Sequence, residues 1–205
     1  RGRQEGMVTK HRVLMPSRSD EYIPVRCVEE GRWSKKAKKF AYFNYATPQL
    51  RKVLDQSGNQ VVVWREILNH LDFNGINSPT LAFASIRTDK KFAPMMEEYY
   101  NYFIDQFKKS DSSVTGIVCM TADRVIGCDI FAGTNLFYDQ LEALLPGYIE
   151  EAISYGNSVT IKDSTVKEYL DRILTDEETQ RVYLKKNGKI YRYGEKVIHI
   201  TGYGE

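Results

Sequence analysis

The sequence is poor in cysteine, in histidine and in long apolar runs, and each shortage excludes a class of protein. Its three cysteines form no C-x-x-C pair, and none of them has a histidine at metal-ligand spacing, so no structural zinc site is expected. No apolar stretch approaches the length of a transmembrane helix, so no membrane span is expected. The 29 Lys and Arg residues against 27 Asp and Glu residues give a net charge of +2, far from the strongly basic balance of a general nucleic-acid binder.

Standard catalytic and nucleotide-binding signatures are also missing. The chain has no G-x-G-x-x-G after a strand, no G-x-x-x-x-G-K-[ST], no H-E-x-x-H and no G-x-S-x-G. Cys119 and Cys128 fall on two successive predicted strands, so both a cross-strand disulfide and two buried free thiols fit the sequence. These absences assign no cofactor, and they leave open whether the chain is an enzyme.

Apolar periodicity predicts several amphipathic helices. They cover residues 48–54, 60–71, 94–109, 136–155 and 164–174. Pro146-Gly147 is expected to kink or divide the helix over 136–155. On the helix over 94–109 the spacing assigns one aromatic stripe to the core, formed by Met95, Tyr99, Tyr102, Phe103 and Phe107.

The strands are predicted as hairpins. Residues 114–120 and 124–131 bracket a short turn and have the composition of two buried central strands. Asn187-Gly188 is typical of a two-residue hairpin turn and is flanked by the apolar stretches 182–184 and 189–193. Further strands are expected over 7–15, 21–29 and 197–201. Because the blocks lack a regular βαβ rhythm, the predicted fold class is α+β, with a mixed, largely antiparallel sheet and helices packed on it, in a single domain over residues 1–205.

The densest group of chemically active side chains lies in Cys27-Val28-Glu29-Glu30-Gly31-Arg32-Trp33. A strand followed by a turn would bring Glu29 to Trp33 to the strand's end, where binding groups often lie. The same residues fit a structural corner, in which Arg32 pairs with Glu29 or Glu30 and Trp33 is a buried aromatic. The sequence leaves both interpretations open.

Two other residues are candidates for a site. Asp129 lies near the end of a predicted central strand, which is a common place for a general base or a ribose-diol acceptor, although a capping carboxylate fits equally well. His199 lies between Ile198 and Ile200 in the last strand, where it can point into a cleft or be a satisfied core histidine. The hydroxyls of Ser78-Pro79-Thr80 have no adjacent base, which favours a structural role for that turn.

Four stretches carry a resemblance to a known family. They are Arg12-Val13-Leu14, Ile23-Pro24-Val25-x-Cys27-Val28-Glu29-Glu30-Gly31-Arg32-Trp33, Ser78-Pro79-Thr80 and Gly127-x-Asp129-x-Phe131. In these the chain resembles the ADP-ribosylglycohydrolase and rhodanese-phosphatase-superfamily-associated protein domain, an uncharacterised bacterial family. The resemblance runs from Gln4 to the strand Val197-Ile198-His199. The resemblance implies that family members begin with a further N-terminal segment, ahead of an element similar to Gly2-Arg3-Gln4-Glu5-Gly6, so the chain is expected to lack that segment.

The family name implies a setting among enzymes that process ADP-ribose and related NAD derivatives. One hypothesis is therefore a domain that binds or processes an ADP-ribose- or NAD-like molecule at the Glu29–Trp33 turn. Arg32 would meet the diphosphate, Trp33 would stack on adenine, and His199 would line the cleft. Glu29, Glu30 and Asp129 are the candidate catalytic residues: Glu29 or Glu30 would accept ribose hydroxyls, and Asp129 would be the base. The second hypothesis is a non-enzymatic module that docks a partner protein. Neither the oligomeric state nor the compartment follows from the sequence.

Overall fold

The structure is a computed structural model that describes residues 25–30, 44–110, 113–156 and 158–204, together with the backbone of three short strands at 3–4, 7–9 and 33–34. Along the chain the elements are β1 (Arg3–Gln4), β2 (Met7–Thr9), β3 (Val25–Cys27), β4 (Trp33–Ser34), α1 (Pro48–Gln56), α2 (Gln60–Phe73), α3 (Ser85–Thr88), α4 (Phe92–Lys109), β5 (Gly116–Thr121), β6 (Arg124–Phe131), α5 (Thr134–Ser154), α6 (Asp163–Ile173), α7 (Glu177–Asn187), β7 (Gly188–Tyr193) and β8 (Lys196–Tyr203). All pairings among these strands are antiparallel. The α+β fold class with a largely antiparallel sheet is therefore confirmed.

The chain forms two compact units, which are described separately. The N-terminal unit consists of Arg1–Tyr42 and Val53–Ala93, and the C-terminal unit consists of Phe43–Lys52 and Pro94–Glu205. The single domain expected from the sequence stays a prediction. Within the described ranges no helix is both long enough and apolar enough to cross a membrane.

The N-terminal unit contains short paired strands and the helix α2. Strand β2 pairs with β3, as the hairpin predicted over 7–15 and 21–29 requires, although the paired segments are only three residues long. Helix α2 begins after Asn59, whose side chain accepts the backbone N–H of Val61 at 2.9 Å. It buries Val63, Ile67 and Leu71 on one side, as helical spacing predicts.

The C-terminal unit is built on a four-stranded sheet in the order β5-β6-β8-β7. Successive side chains of a strand point to opposite faces, so β6 contributes to two cores. One face packs against α5 and α4, with a core that includes Phe131, Phe137 and Leu144. The other face packs against α6 and α7, with Cys128 and Ile200 among its buried residues. Helices therefore cover both faces of this sheet.

The two sheet cysteines illustrate this alternation. Cys119 is opposite Gly127 in the β5–β6 ladder, and Cys128 is opposite Val118, so the two thiols point to opposite faces of the sheet. Cys119 packs beside the α5 core and Cys128 is within the α6–α7 core. Both are free thiols, and their placement rules out the cross-strand disulfide that the sequence left open.

Helix α4 packs through a different stripe from the one that the sequence predicted. Met96, Tyr100, Ile104 and Phe107 pack into the α5 core. Tyr99, Tyr102 and Phe103, which were assigned to the core with Met95, are instead exposed. The assignment was wrong for these three aromatic residues because α4 is apolar over two adjoining faces, and periodicity alone does not say which face is covered.

The predicted hairpin at Asn187-Gly188 is also wrong. Residues 182–184 belong to helix α7, whose last residue is Asn187, and Gly188 is the first residue of β7. The β-hairpin is the next one along, where Gly194, at a φ of +58°, allows the turn between β7 and β8. Helix α5 likewise runs unbroken through Pro146, without the division that Pro146-Gly147 was expected to cause.

Candidate functional site

The most unusual feature of the C-terminal unit is a carboxylate buried in the middle of its sheet. Asp129 is fully buried on β6 and accepts hydrogen bonds from four side chains. Arg51 Nη1 donates to both oxygens at 3.1 and 2.9 Å, and Tyr148 Oη donates to Oδ2 at 2.7 Å. The oxygen Oδ1 is 2.7 Å from His199 Nε2 and accepts from Thr201 Oγ1 at 2.5 Å. We refer to these five residues as the Asp129 cluster.

The start of helix α1 fixes the position of Arg51. Helix α1 begins at Pro48, a residue suited to the first helical position because it has no N–H to satisfy there. The backbone N–H of Gln49 donates to Glu151 Oε2 at 2.8 Å, and the N–H of Arg51 donates to the carbonyl of Thr47 at 2.9 Å. Both bonds hold the first turn, so the side chain one turn into α1 reaches the sheet at Asp129.

A glycine in α5 lets the chain before α1 approach closely. A Cβ on Gly147 would lie 2.7 Å from the carbonyl oxygen of Ala46, so only glycine fits at this contact. The residue before Ala46 is also bound to α5, because the backbone N–H of Tyr45 donates to the carbonyl of Ala143 at 3.0 Å. Tyr148 follows Gly147 directly, so the segment that leads to α1 and the tyrosine of the cluster are held by the same part of α5.

Strand β8 contributes two residues from one face. His199 and Thr201 are two positions apart, so both point to the face that carries Asp129, and Thr201 is directly opposite Asp129 in the ladder. The His199 ring is stacked between two aromatic rings, with centroid distances of 4.3 Å to Phe131 and 4.9 Å to Tyr191. These two residues are its cross-strand neighbours on β6 and β7, so the stack fixes the plane of the imidazole.

The electrostatics of the cluster keep Asp129 ionised. Burial alone would raise the pKa of Asp129, but the charge of Arg51 and the hydrogen bonds from His199 and Thr201 hold that pKa well below its usual range. Burial would lower the pKa of Arg51, and the charge of Asp129 outweighs this effect and raises it. Because an ionised carboxylate only accepts hydrogen bonds, His199 must carry a hydrogen on Nε2, which donates a hydrogen bond to Asp129 Oδ1.

Most of the cluster is closed to solvent. Asp129, Thr201 and His199 are at most 2% exposed, whereas the side chain of Arg51 is 13% exposed. The Nε atom of Arg51 is buried and has no hydrogen-bond partner among the residues that the structure describes. Arg51 is therefore the member of the cluster whose side chain reaches solvent.

The described residues offer no metal site, and the two cysteines of the sheet are not reactive thiols. Among the described residues, no group of three or more His, Cys, Asp or Glu side chains is placed to hold a metal ion. Burial, and then the negative charge of Glu151, raises the pKa of the Cys119 thiol to about 12. Burial and Asp129 likewise raise the pKa of Cys128 to about 12. Thiols that stay protonated at neutral pH are poor nucleophiles.

In the N-terminal unit, hydrogen bonds hold the first residues of the turn that was predicted as a site. Glu29 is only 5% exposed, it forms a β-bridge with Ala82, and its carboxylate accepts the hydroxyl of Thr80 at 2.7 Å. Two residues earlier the side-chain amide of Gln60 donates to the carbonyl of Cys27 at 2.8 Å and accepts the N–H of Cys27 at 2.9 Å. The described part of this turn is thus anchored to two other segments of its own unit.

The structure brings some of the predicted site residues together within each unit. In the C-terminal unit Asp129 and His199 are in direct contact. In the N-terminal unit Glu29 contacts Thr80, a residue of the Ser78-Pro79-Thr80 turn, and Glu30 is half-buried. Arg32 and the side chain of Trp33 lie outside the described residues, so their predicted roles stay predictions.

Three members of the Asp129 cluster were missed by the sequence reasoning. Thr201 could have been found, because it shares a strand face with His199. The need for a cation could also have been inferred, since a carboxylate within a buried strand requires a partner. Nothing local in the sequence identifies that partner as Arg51, which lies 78 residues away, or adds Tyr148 from α5.

The fold and the cluster define an α+β domain whose antiparallel sheet holds a buried, charged polar centre. The chain matches the family model described as the ARG and Rhodanese-Phosphatase-superfamily-associated Protein domain over residues 2–202, and it belongs to that family. No curated protein and no solved structure matches the chain.

Proposed function

We propose that this domain binds an ADP-ribose- or NAD-like small molecule and that Arg51 contacts its diphosphate. The observation that carries the proposal is that Arg51, which binds Asp129 through Nη1, has a side chain that is still 13% exposed at the margin of an otherwise buried cluster. The charge of the guanidinium would attract a diphosphate, whose oxygens would accept charge-assisted hydrogen bonds from it. Arginine suits this role because its planar guanidinium can bind a carboxylate through one nitrogen and a phosphate through others.

The surroundings of Arg51 support an anionic ligand with an aromatic ring. The guanidinium carbon lies 5.8 Å from the centroid of the half-buried Tyr45 ring and 5.3 Å from that of the buried Tyr148 ring. A nucleobase beside Tyr45 would have an aromatic side chain to stack on. The family name links these domains to ARG and rhodanese-phosphatase proteins, which supports a ligand of this class as context only.

In this proposal Asp129 is a positioning residue and not the base that the sequence suggested. Its lowered pKa makes it a weak proton acceptor at neutral pH, whereas its charge holds Arg51 in place. His199 orients the same carboxylate through Nε2. Glu29, Glu30, Arg32 and Trp33 stay a predicted second set of ligand contacts.

Calorimetric titration of the purified chain with ADP-ribose and with NAD tests the proposal. We expect Arg51→Lys to weaken binding at least about tenfold, because lysine keeps the charge beside Asp129 but lacks the planar set of donors. Arg181→Lys, a change on the exposed face of α7, is the matched control and should bind like the parent chain. A thermal melt confirms that each variant is folded. Absence of heat with both ligands, or unchanged affinity of Arg51→Lys, would contradict the proposal.

A second candidate function is a non-enzymatic module that docks a partner protein. It is favoured by the corner at Glu29, whose carboxylate is buried and bound to Thr80 as a structural role requires. If the folded chain binds neither ADP-ribose nor NAD, this candidate is the one that remains supported.

A further inference from the structure

The sheet face that carries Asp129 continues onto strand β7, which is an edge of the four-stranded sheet. Thr201 is directly opposite Asp129 in the β6–β8 ladder and directly opposite Lys189 in the β8–β7 ladder. Residues that are opposite one another in a ladder point to the same face of the sheet, so Lys189 is on the face that Arg51 contacts. A second cation therefore lies in the same row of the sheet as the Arg51–Asp129 pair.

The next row on this face is formed by three stacked rings. Phe131, His199 and Tyr191 are opposite one another in the same two ladders. Their ring centroids are 4.3 Å apart between Phe131 and His199 and 4.9 Å apart between His199 and Tyr191. The register shift in the β7–β8 ladder comes only after Tyr191, so it does not affect Lys189. The side-chain contacts thus agree with the ladder, and Lys189 and Tyr191 share this face.

This face is closed over the two inner strands and more open at its edge. Asp129 and Thr201 are buried, whereas Lys189 and Tyr191 are half-buried. The ammonium of Lys189 lies 5.3 Å from the centroid of the Tyr191 ring, within the range of a cation–π contact. The partly accessible groups of this face therefore include Arg51 over β6 and the Lys189–Tyr191 pair on β7.

The spacing of the two cations suits two linked phosphates. Neighbouring strands lie about 5 Å apart, so the Cα atoms of Asp129 and Lys189 are separated by about 10 Å across β8. Nη1 of Arg51 donates to both oxygens of Asp129, which fixes the guanidinium beside the first of these two positions. The flexible four-carbon stem of Lys189 can carry its ammonium back toward Arg51. One phosphate at Arg51 would then leave its linked neighbour within reach of Lys189.

We propose that Lys189 is the second cation of the ligand site at Arg51 and that it binds the second phosphate of a diphosphate. This inference rests on the proposed function, because it requires a ligand at Arg51. It adds that the site selects ligands with two linked phosphates over ligands with one. Arg51 would bind its phosphate through a planar set of donors, and Lys189 would act as a point charge on the other.

A lysine on an edge strand also has a common role that involves no ligand. Its charge discourages the edge from pairing with a strand of another molecule. That role predicts the same nucleotide affinity with or without the lysine, whereas the proposed role predicts a loss confined to diphosphates.

Calorimetric titration of the full chain with ADP-ribose and with AMP separates the two roles, because AMP carries its charge on a single phosphate. We expect the parent chain to bind ADP-ribose more tightly than AMP. Lys189→Gln should weaken the binding of ADP-ribose at least about fivefold and change that of AMP less than about twofold. Lys189→Arg, which keeps the charge, should retain most of the affinity for ADP-ribose.

The matched control is Lys196→Gln, because Lys196 is an exposed lysine of the same hairpin and its loss changes the net charge equally. It should bind both nucleotides like the parent chain, and a circular-dichroism melt shows that each variant is folded. If the parent binds ADP-ribose but Lys189→Gln binds it equally well, or loses both nucleotides alike, the role of Lys189 is overturned and the proposed function stands. A parent chain that does not prefer ADP-ribose to AMP also overturns this role. A parent chain that gives no heat with ADP-ribose, NAD or AMP overturns both proposals.

Discussion

The Asp129 cluster depends on the carboxylate of Asp129. It balances the charge of Arg51 and accepts hydrogen bonds from three further side chains while fully buried. Removal of one member of a buried ion pair usually costs more than the pair contributes, because the remaining charge has lost its partner. The consequences should therefore be large and dependent on pH.

We expect Asp129→Asn to lower the free energy of unfolding by about 3–5 kcal/mol at pH 7, because Arg51 stays buried without its anion. The folded-state pKa of Asp129 is lowered, so the stability that its charge contributes is present above the unfolded pKa of about 3.9 and is lost as pH falls toward the folded value. Urea denaturation of parent and variant between pH 7 and pH 2.5 measures this.

The difference between parent and Asp129→Asn should shrink once the pH falls below about 4. Asp171→Asn is the control, because Asp171 is exposed and pairs with Lys167 on the surface of α6, where an ion pair contributes little. A difference that stays constant or grows on acidification would contradict the assignment of the charge to Asp129.

At the residue scale the sequence predicts two of the five members of the Asp129 cluster and not the other three. Strand alternation is a local property, and it identified Asp129 and His199 as candidates on strands. The partnership with Arg51 is a tertiary contact across 78 residues, set by where the first turn of α1 meets the sheet. No local pattern encodes that meeting, so neither Arg51 nor Tyr148 could be chosen from the sequence.

At the scale of elements, helix α7 shows how a strong turn signal can be outweighed. Asn187-Gly188 is typical of a hairpin, but the preceding residues have the features of a helix. The side chain of Asp176 accepts the N–H of Thr179 at 3.0 Å, and the helix carries Glu177 in its first turn and Lys186 in its last. These helix signals were present in the sequence, and together they outweigh the dipeptide.

Val182→Ala distinguishes the helix from the predicted strand. Val182 is 68% exposed, so few contacts are lost, and alanine has the higher helix propensity by roughly 0.5 kcal/mol. The variant should therefore be as stable as the parent chain or slightly more stable, whereas in a strand the same change would destabilise by up to about 1 kcal/mol. Thermal and urea unfolding measure the effect. Val159→Ala, at an exposed position outside any helix, should bring no gain.

At the scale of the whole molecule, the last strand of the chain lies inside the sheet. The order β5-β6-β8-β7 places β8 between β6 and β7, so β6 has β8 as its second neighbour. The alternation of strand and helix blocks predicted the α+β class, but it could not predict this order, because pairing between distant strands depends on tertiary packing. The sheet of this unit is therefore complete only when residues 196–203 are present.

A chain that ends at Tyr193 should fail to fold cooperatively in its C-terminal unit. It loses β8, which exposes the paired edge of β6 and removes Ile200 from the core. It also loses His199 and Thr201, so Asp129 stays in the sheet with two of its donors gone. We expect broad, non-cooperative thermal unfolding and weak near-ultraviolet circular dichroism, whereas a chain that ends at Gly204 should melt like the parent. A sharp transition in the shorter chain would show that β8 is dispensable and would contradict the prediction.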